Sequence, residues 1–222
     1  MTQTVSITYR PMTAADLPFV PLECQGEPAE VRERITVAGS SAMLAFDGER
    51  CVAQLQFRPY ASGTRSPAGI HHPLYWMDHP EGTPPLPARL LCLFCYHVGQ
   101  VEGAPDQREG RYQGRGIGRG LLLRTIQWAG SQGFDAIVAK GLAACWPVIQ
   151  YLGGMPWSVY EQHGFTSLHS YHDSELRDVL DEILVGAYGA RRLMELTDEV
   201  ERGADLDVLS EVRICVRRLR PG

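Results

Sequence analysis

The chain has 222 residues, enough to bury a full core as one domain or one domain with an insertion. Hydrophobic residues make up 44% and charged residues 21%, an ordinary soluble composition, and no apolar run approaches the roughly 20 residues of a membrane-spanning helix. The net charge of −5 argues against a dedicated nucleic-acid binder, whose footprint is basic, so neither nucleic acid nor membrane is expected as a partner.

No basic start followed by an apolar stretch opens the chain, so no secretory leader is expected and a cytoplasmic location is the default. The six cysteines are scattered and read as reduced thiols rather than a disulfide framework.

In chain order, Val5 to Arg10 alternates and is β-branched, the pattern of a first strand. Thr13 and Asp16 have capping-box spacing for a short helix from Ala14 to Val20, and a second helix is expected from Pro28 to Val37. Asp47-Gly48 between the apolar runs Ala42 to Phe46 and Cys51 to Phe57 signals a hairpin. Arg58 to Pro87 is proline-rich and reads as a long functional loop. Its Tyr60, Tyr75 and Trp76, with Trp157, either line an acceptor pocket or simply pack.

Arg89 to Val98 is almost continuously apolar, as in a strand buried on both faces, and the polar Gly99 to Gly110 reads as a loop. Next comes Arg111 to Gly130, in which Gly114, Gly116, Gly118 and Gly120 alternate with Arg115, Ile117 and Arg119 before an apolar helix. Glycines let backbone N–H groups approach a ligand, and the helix N-terminus behind them offers unpaired donors to a phosphate. Arg111, Arg115 and Arg119 add positive charge, so the stretch reads as an anion cradle. The dinucleotide fingerprint fails because Arg119 stands where its third glycine belongs, and the P-loop fails for want of a lysine.

Beyond the helix, Phe134 to Ala139 is a buried strand, and Lys140 to Gln150 carries no clear period, with Trp146-Pro147 breaking any helix. Gly153 to Pro156 is a turn, Trp157 to Gln162 a short helix ended by Gly164, and Phe165 to Tyr171 a strand. Ser174 is positioned to cap a helix from Glu175 to Tyr188, and Arg191 to Arg202 forms another. Glu211 to Leu219 alternates, with Val212, Ile214 and Val216 inward, and closes the sheet.

Gln113-Gly114-Arg115-Gly116-Ile117-Gly118 resembles the Q/R-x-x-G-x-G/A signature with which N-acetyltransferases of the GNAT superfamily hold the pyrophosphate of acetyl-CoA. Tyr160-Glu161-Gln162-His163-Gly164-Phe165 resembles the Y-E-x-x-G-F between the fourth helix and sixth strand of the same superfamily. The resemblance spans roughly residues 5–172 plus the last strand. It implies one α/β domain over residues 1–222, a GNAT-like, mostly antiparallel mixed sheet flanked by helices. The proline-rich loop (58–88), a longer lead into the cradle and a helical insertion (174–205) depart from the usual pattern.

The implied activity is direct transfer of an acetyl group from acetyl-CoA, as co-substrate, to a primary amine on a small molecule or peptide. In that reading the strand end near His97 and Val98 pairs with the pantetheine arm. Gln113, Gly114, Arg115, Gly116, Ile117, Gly118 and Arg119 hold the pyrophosphate. Tyr160 protonates the leaving thiolate, and His97 serves as general base, with Glu102 and His163 as weaker candidates.

A non-catalytic acyl-CoA-binding module and a nucleotide-binding protein using the same cradle are the competing readings. A homodimer is left open. No metal site is expected: Cys92 and Cys95 should face opposite sides of their strand, and His71, His72, His79 and His97 are not set in close pairs. Cys145 reads as a buried thiol rather than a nucleophile.

Overall fold

The computed structural model describes residues 6–22, 24–60, 86–101, 104–145, 149 and 153–219. Strand β1 (Ile7–Pro11) is followed by a single 3-10 turn at Ala14–Asp16, helix α1 (Pro28–Ala38) and the hairpin of β2 (Ala42–Asp47) and β3 (Arg50–Pro59). Then come β4 (Leu90–Val98), a small hairpin of β5 (Gln100–Val101) and β6 (Ala104–Arg108), and helix α2 (Ile117–Ser131). The chain continues with β7 (Ala136–Leu142), β8 (Met155–Pro156), α3 (Trp157–Gln162) and β9 (Thr166–His172). Helices α4 (Ser174–Leu184), α5 (Ala190–Glu201) and α6 (Leu206–Leu209) precede the last strand, β10 (Glu211–Arg218).

Among the described residues eight of these ten strands form one sheet in the order β1-β2-β3-β4-β7-β10-β9, with β8 added alongside β7, and β5 and β6 pair apart from it. Every neighbouring pair along that order is antiparallel except β4 and β7. That parallel pair is short: Leu90 to Leu93 lie opposite Ala136 to Ala139, and β4 then runs on without β7 beside it. The fold is therefore the expected mixed, mostly antiparallel sheet with helices.

The two strands that part are both covered on their two faces. All of β7 and all of β4 except Val98 are buried. On one face α2 packs Leu121, Leu122, Ile126 and Ala129 against Val52, Leu55, Phe57, Leu91 and Ile137. Each buried apolar side chain of this size contributes about 1.5–3 kcal/mol. On the other face Met12, Val31 and Leu44 pack around α1, and Leu90, Cys92 and Phe94 meet Val138 and Ile214. The helical insertion is a packed layer: Leu176, Leu180, Ile183 and Leu196 bury against Leu142, Cys145 and Val212.

Several local expectations are corrected. The helix expected from Ala14 to Val20 is one 3-10 turn, because Pro18 has no N–H to donate back to Ala14; the Asp16 carboxylate still accepts from the Thr13 N–H at 2.7 Å and hydroxyl at 2.8 Å. Arg10 also pairs with that carboxylate; although burial works the other way, its hydrogen bonds hold Asp16 below its ordinary pKa.

The polar stretch after Gly99 is the β5–β6 hairpin rather than an open loop, closed at its base by Glu109 N–H donating to the Gly99 carbonyl at 2.8 Å. Helix α4 is capped by Asp173 rather than Ser174, its carboxylate accepting from Leu176 N–H at 3.1 Å. Lys140, expected to lie past the end of β7, is inside it and buried, with Nζ 3.5 Å from Asp173 Oδ2. His163, the weaker base candidate beside the second motif, is buried.

Strand β4 also carries a bulge. Gln56 stands opposite Cys95 and Phe57 opposite Leu93, which leaves Phe94 without a partner on β3. The bulge resets the side-chain alternation. Cys92 and Cys95 consequently share one cluster instead of facing apart, while Tyr96 joins the α2 face.

Candidate functional site around the glycine cradle

The cradle starts where Tyr112 is fixed. Its ring is buried and its hydroxyl donates to Asp47 Oδ2 at 2.9 Å, tying the approach to the β2–β3 turn. Gln113 N–H donates to the Gly110 carbonyl at 3.0 Å, and Gly114 and Gly116 then take φ values of 68° and 73°, in the left-handed region that favours glycine. A Cβ at either would meet nothing within 4 Å, so the backbone faces open space.

Gly116 is the N-cap of α2, and Gly120 N–H makes the first bond back to it, at 2.9 Å. The N–H groups of Ile117, Gly118 and Arg119 precede that bond and have no intrahelical partner. Of the three arginines, Arg111 pairs with Glu109 at 2.9 Å, whereas Arg115 and Arg119 are exposed and make no ion pair among the described residues.

A Cβ added at Gly118 would lie 3.5 Å from Met155 Cε and 3.9 Å from both Tyr96 Cδ1 and Val98 Cγ2. The end of β4 therefore stands against the cradle. Tyr96 links this end to the second motif, because the Tyr160 hydroxyl donates to the Tyr96 hydroxyl at 3.4 Å. Both tyrosines are buried, and burial pushes each phenol well above its ordinary pKa, so both stay protonated at neutral pH. Sequence reasoning missed Tyr96. Its signal is the bulge at Phe94, which an apolar run does not reveal.

Where β4 and β7 part, the gap is bridged by Gly153 to Pro156. Tyr96 N–H donates to the Gly153 carbonyl at 2.7 Å, while Met155 and Pro156 pair with Gly141 and Leu142 of β7. A Cβ on Gly153, whose φ is 60°, would come within 2.6 Å of Cys95 Sγ.

His97 projects to the sheet face opposite Tyr96. Its Nε2 lies 3.0 Å from Cys95 Sγ and its Nδ1 3.4 Å from an Arg108 guanidinium nitrogen. Buried Gln25, Gln54 and Gln100 lie nearby on the same face: Gln25 Nε2 donates to Gln54 Oε1 at 3.0 Å, and Gln54 Nε2 donates to Gln100 Oε1 at 2.7 Å. Gln54 stands opposite His97 in the β3–β4 register. His163 lies elsewhere, beside Arg217, which donates to its carbonyl; burial, with Arg119 and Arg217 near, holds its imidazole below the ordinary pKa.

Trp157 packs under the Arg213 guanidinium, 4.1 Å from its ring, and Cys145 is buried as expected. Glu102, His71, His72, His79, Tyr75, Trp76 and Trp146-Pro147 lie outside the described residues. A groove of about 420 Å³ between Val37, Gly39, Tyr60, Arg89 and Gln132 lies by the C-terminal end of α2, away from the cradle.

No family model matches the sequence, and no curated protein matches it significantly. Solved structures do match. The yncA protein of Salmonella typhimurium, solved with its cofactor acetyl-CoA, superposes with a TM-score of 0.50 at 13% identity, covering 97% of this chain and 95% of that one. An acetyltransferase of the GNAT family from Streptococcus pneumoniae gives 0.48 at 14% identity over 96% and 99%. The GNAT-like decarboxylase GphF, in complex with isobutyryl-CoA, gives 0.46 at 15% over 96% and 100%. With its mixed sheet, short parallel pair and glycine-led helix, the chain has the fold of the GNAT acetyltransferases.

Proposed function

We propose that this protein is an acyl-CoA-dependent transferase of the N-acetyltransferase type, moving an acetyl group to a primary amine in a ternary complex. The observation that carries the reading is the meeting at Tyr96, which touches the cradle through the Gly118 position and the second motif through Tyr160. The acetyl-CoA bound to yncA supports the choice of ligand.

Gln113 to Arg119 fit a pyrophosphate: two left-handed glycines face open space, three helix-initial N–H groups lack partners, and Arg115 and Arg119 stand exposed beside them. Bound acyl-CoA supplies the activated thioester. From the cradle, Val98 and Tyr96 give the pantetheine arm a strand end to follow, where the Tyr96 N–H exchanges the Gly153 carbonyl for a ligand acceptor.

Tyr160 is the general acid in this reading. It keeps its proton at neutral pH and lies in the same buried pair as Tyr96, so it can donate to a departing sulfur. His97 is the base, reached from the opposite face, and the incoming amine would replace the Arg108 contact at Nδ1, the nitrogen that accepts. The acceptor is a small molecule or a peptide terminus.

The first test is thermal unfolding with acetyl-CoA, CoA, ATP and NAD at matched concentrations. A ligand at ~100 times its Kd adds about 2.7 kcal/mol. Acetyl-CoA and CoA are expected to raise the midpoint while ATP and NAD leave it unchanged. A response to ATP or NAD alone would favour the nucleotide-binding reading.

Where CoA release with an amine panel then detects turnover, Tyr160→Phe should lower kcat by about 10²-fold or more with KM for acetyl-CoA nearly unchanged. Unchanged kcat would remove Tyr160 from the reaction. CoA binding with no turnover on any amine would favour a non-catalytic module.

A further inference from the structure

On the sheet face away from the cradle, Cys24, Cys95 and His97 come together: the two Sγ atoms and a ring nitrogen all lie within 4.8 Å of one another. Cys95 and His97 are two apart on β4 and share a face beyond the bulge, whereas Cys24 arrives from the segment between the first 3-10 turn and α1. Cys24 is the one described non-glycine residue with a left-handed backbone, at φ 66°, a conformation that side chains disfavour. Its neighbour Gln25 holds it there. Gln25 is fully buried, its N–H donates to the Leu22 carbonyl at 2.8 Å, its side chain donates to Gln54, and its carbonyl accepts from Arg34.

Two thiols and an imidazole are also a zinc donor set, and the tautomer decides between the two chemistries. Arg108 can only donate, so Nδ1 of a neutral His97 is the accepting nitrogen and Nε2 carries the proton toward Cys95 Sγ. The nitrogen lone pair that a metal would need faces a guanidinium instead. The Nε2–H directed at Cys95 Sγ, with Arg108 on the other ring nitrogen, holds that sulfur in place on the face shared with Cys24. Burial pushes the thiols of Cys51, Cys92 and Cys215 up to about 11.

We propose that Cys24 and Cys95 are an oxidation site, a thiol pair that closes to a disulfide when the protein meets a hydroperoxide. Burial divides the roles. Cys24 is half-buried and meets the oxidant, while Cys95 is 2% exposed and resolves. Cys24 Sγ takes the terminal peroxide oxygen, the O–O bond breaks, and a sulfenic acid and one alcohol (water, from hydrogen peroxide) result. Cys95 Sγ then attacks Cys24 Sγ; the S–S bond forms, the S–O bond breaks, and hydroxide leaves as water with the Cys95 proton. Each sulfur gives one electron and the peroxide takes both. The bridge would tie the Cys24 segment to β4 one residue from the Tyr96 N–H. It stands independently of the acyl-transfer reading.

The test treats the full chain with hydrogen peroxide and then counts thiols and maps peptides by mass. Two of the six thiols should be lost, a peptide joining Cys24 to Cys95 should appear, and dithiothreitol should restore both. Cys24→Ser, with Cys24→Ala as a second version should the first fold poorly, should abolish the linked peptide and keep its other thiols, while Cys92→Ser should behave like the parent. His97→Gln should slow closure several-fold, measured as the rate of thiol loss.

Any of three results overturns the proposal: no linked peptide at full oxidation of an exposed control thiol, the same two-thiol loss in both Cys24 variants, or one equivalent of zinc that binds the parent chain and is lost in those variants.

Discussion

Alanine in place of Asp173 is expected to lower the unfolding free energy by about 3–5 kcal/mol, the cost of leaving a buried cation without its carboxylate. The Lys140 side chain is 2% exposed and the Asp173 side chain 10%, so little water is at hand to replace the lost charge. Lys140 reaches this depth inside β7 because Asp173 meets it from the start of α4 and the Tyr171 ring lies 5.7 Å from its Nζ.

Asp173 has a second duty as the α4 cap, whose loss adds roughly 1 kcal/mol. At about 2–4 °C per kcal/mol for a chain of this length, the two losses together should lower the midpoint by roughly 8–24 °C. Asp173→Asn separates the two duties, since it keeps an acceptor for Leu176 N–H and loses the charge. Paired apolar replacements, Lys140→Met with Asp173→Leu, should recover much of the loss. A drop of only about 1 kcal/mol in the alanine variant, read from denaturant unfolding, would leave the cap as the whole contribution.

Valine at Gly116 should abolish useful CoA binding while the protein still folds. A β-branched residue at φ 73° costs about 1–2 kcal/mol, so the midpoint falls by a few degrees. Its side chain would meet no protein atom within 4 Å of Cβ, and would instead fill the space in front of the first N–H groups of α2. A phosphate excluded from those donors and from Arg115 should lose about 2.7 kcal/mol or more, a 100-fold rise in the CoA Kd by titration calorimetry. Gly203→Val is the matched control, with φ 95° and equally open surroundings but a place in the insertion. It should show the strain and keep the affinity. Equal CoA affinity in the Gly116 variant and the parent would move the ligand away from this loop.

Much of this architecture is legible in the residues. Gly48 announces the β2–β3 hairpin because the two-residue turn, Gly48-Glu49 after the paired Asp47, needs a left-handed first residue, and the glycine alternation from Gly114 announces the cradle because side chains would obstruct it. The buried strands β4 and β7 declare themselves by the apolar runs Leu90 to Tyr96 and Ala136 to Ala139. That same property hides register. With both faces apolar, nothing in Leu90 to Val98 marks Phe94 as the bulged residue, so neither the shared face of Cys92 and Cys95 nor the arrival of Tyr96 beside Tyr160 can be read.

Asp173 and Ser174 are both good caps side by side, and only the distant Lys140 selects between them. The trio of Cys24, Cys95 and His97 is beyond sequence for a similar reason. It joins a loop to a strand some seventy residues later, with no spacing rule to connect them.

The short contact between β4 and β7 bears on how the free protein protects itself. Two strands that diverge leave raw edges in the middle of a sheet, the kind of surface on which chains self-associate. Here the Gly153 carbonyl and the Met155-Pro156 backbone close both edges from within the chain. If acyl-CoA enters this gap as proposed, its arrival would be a substitution, one acceptor leaving Tyr96 as another takes its place, and its affinity would measure the difference between the two. The unliganded protein need not wait for a partner to complete its sheet.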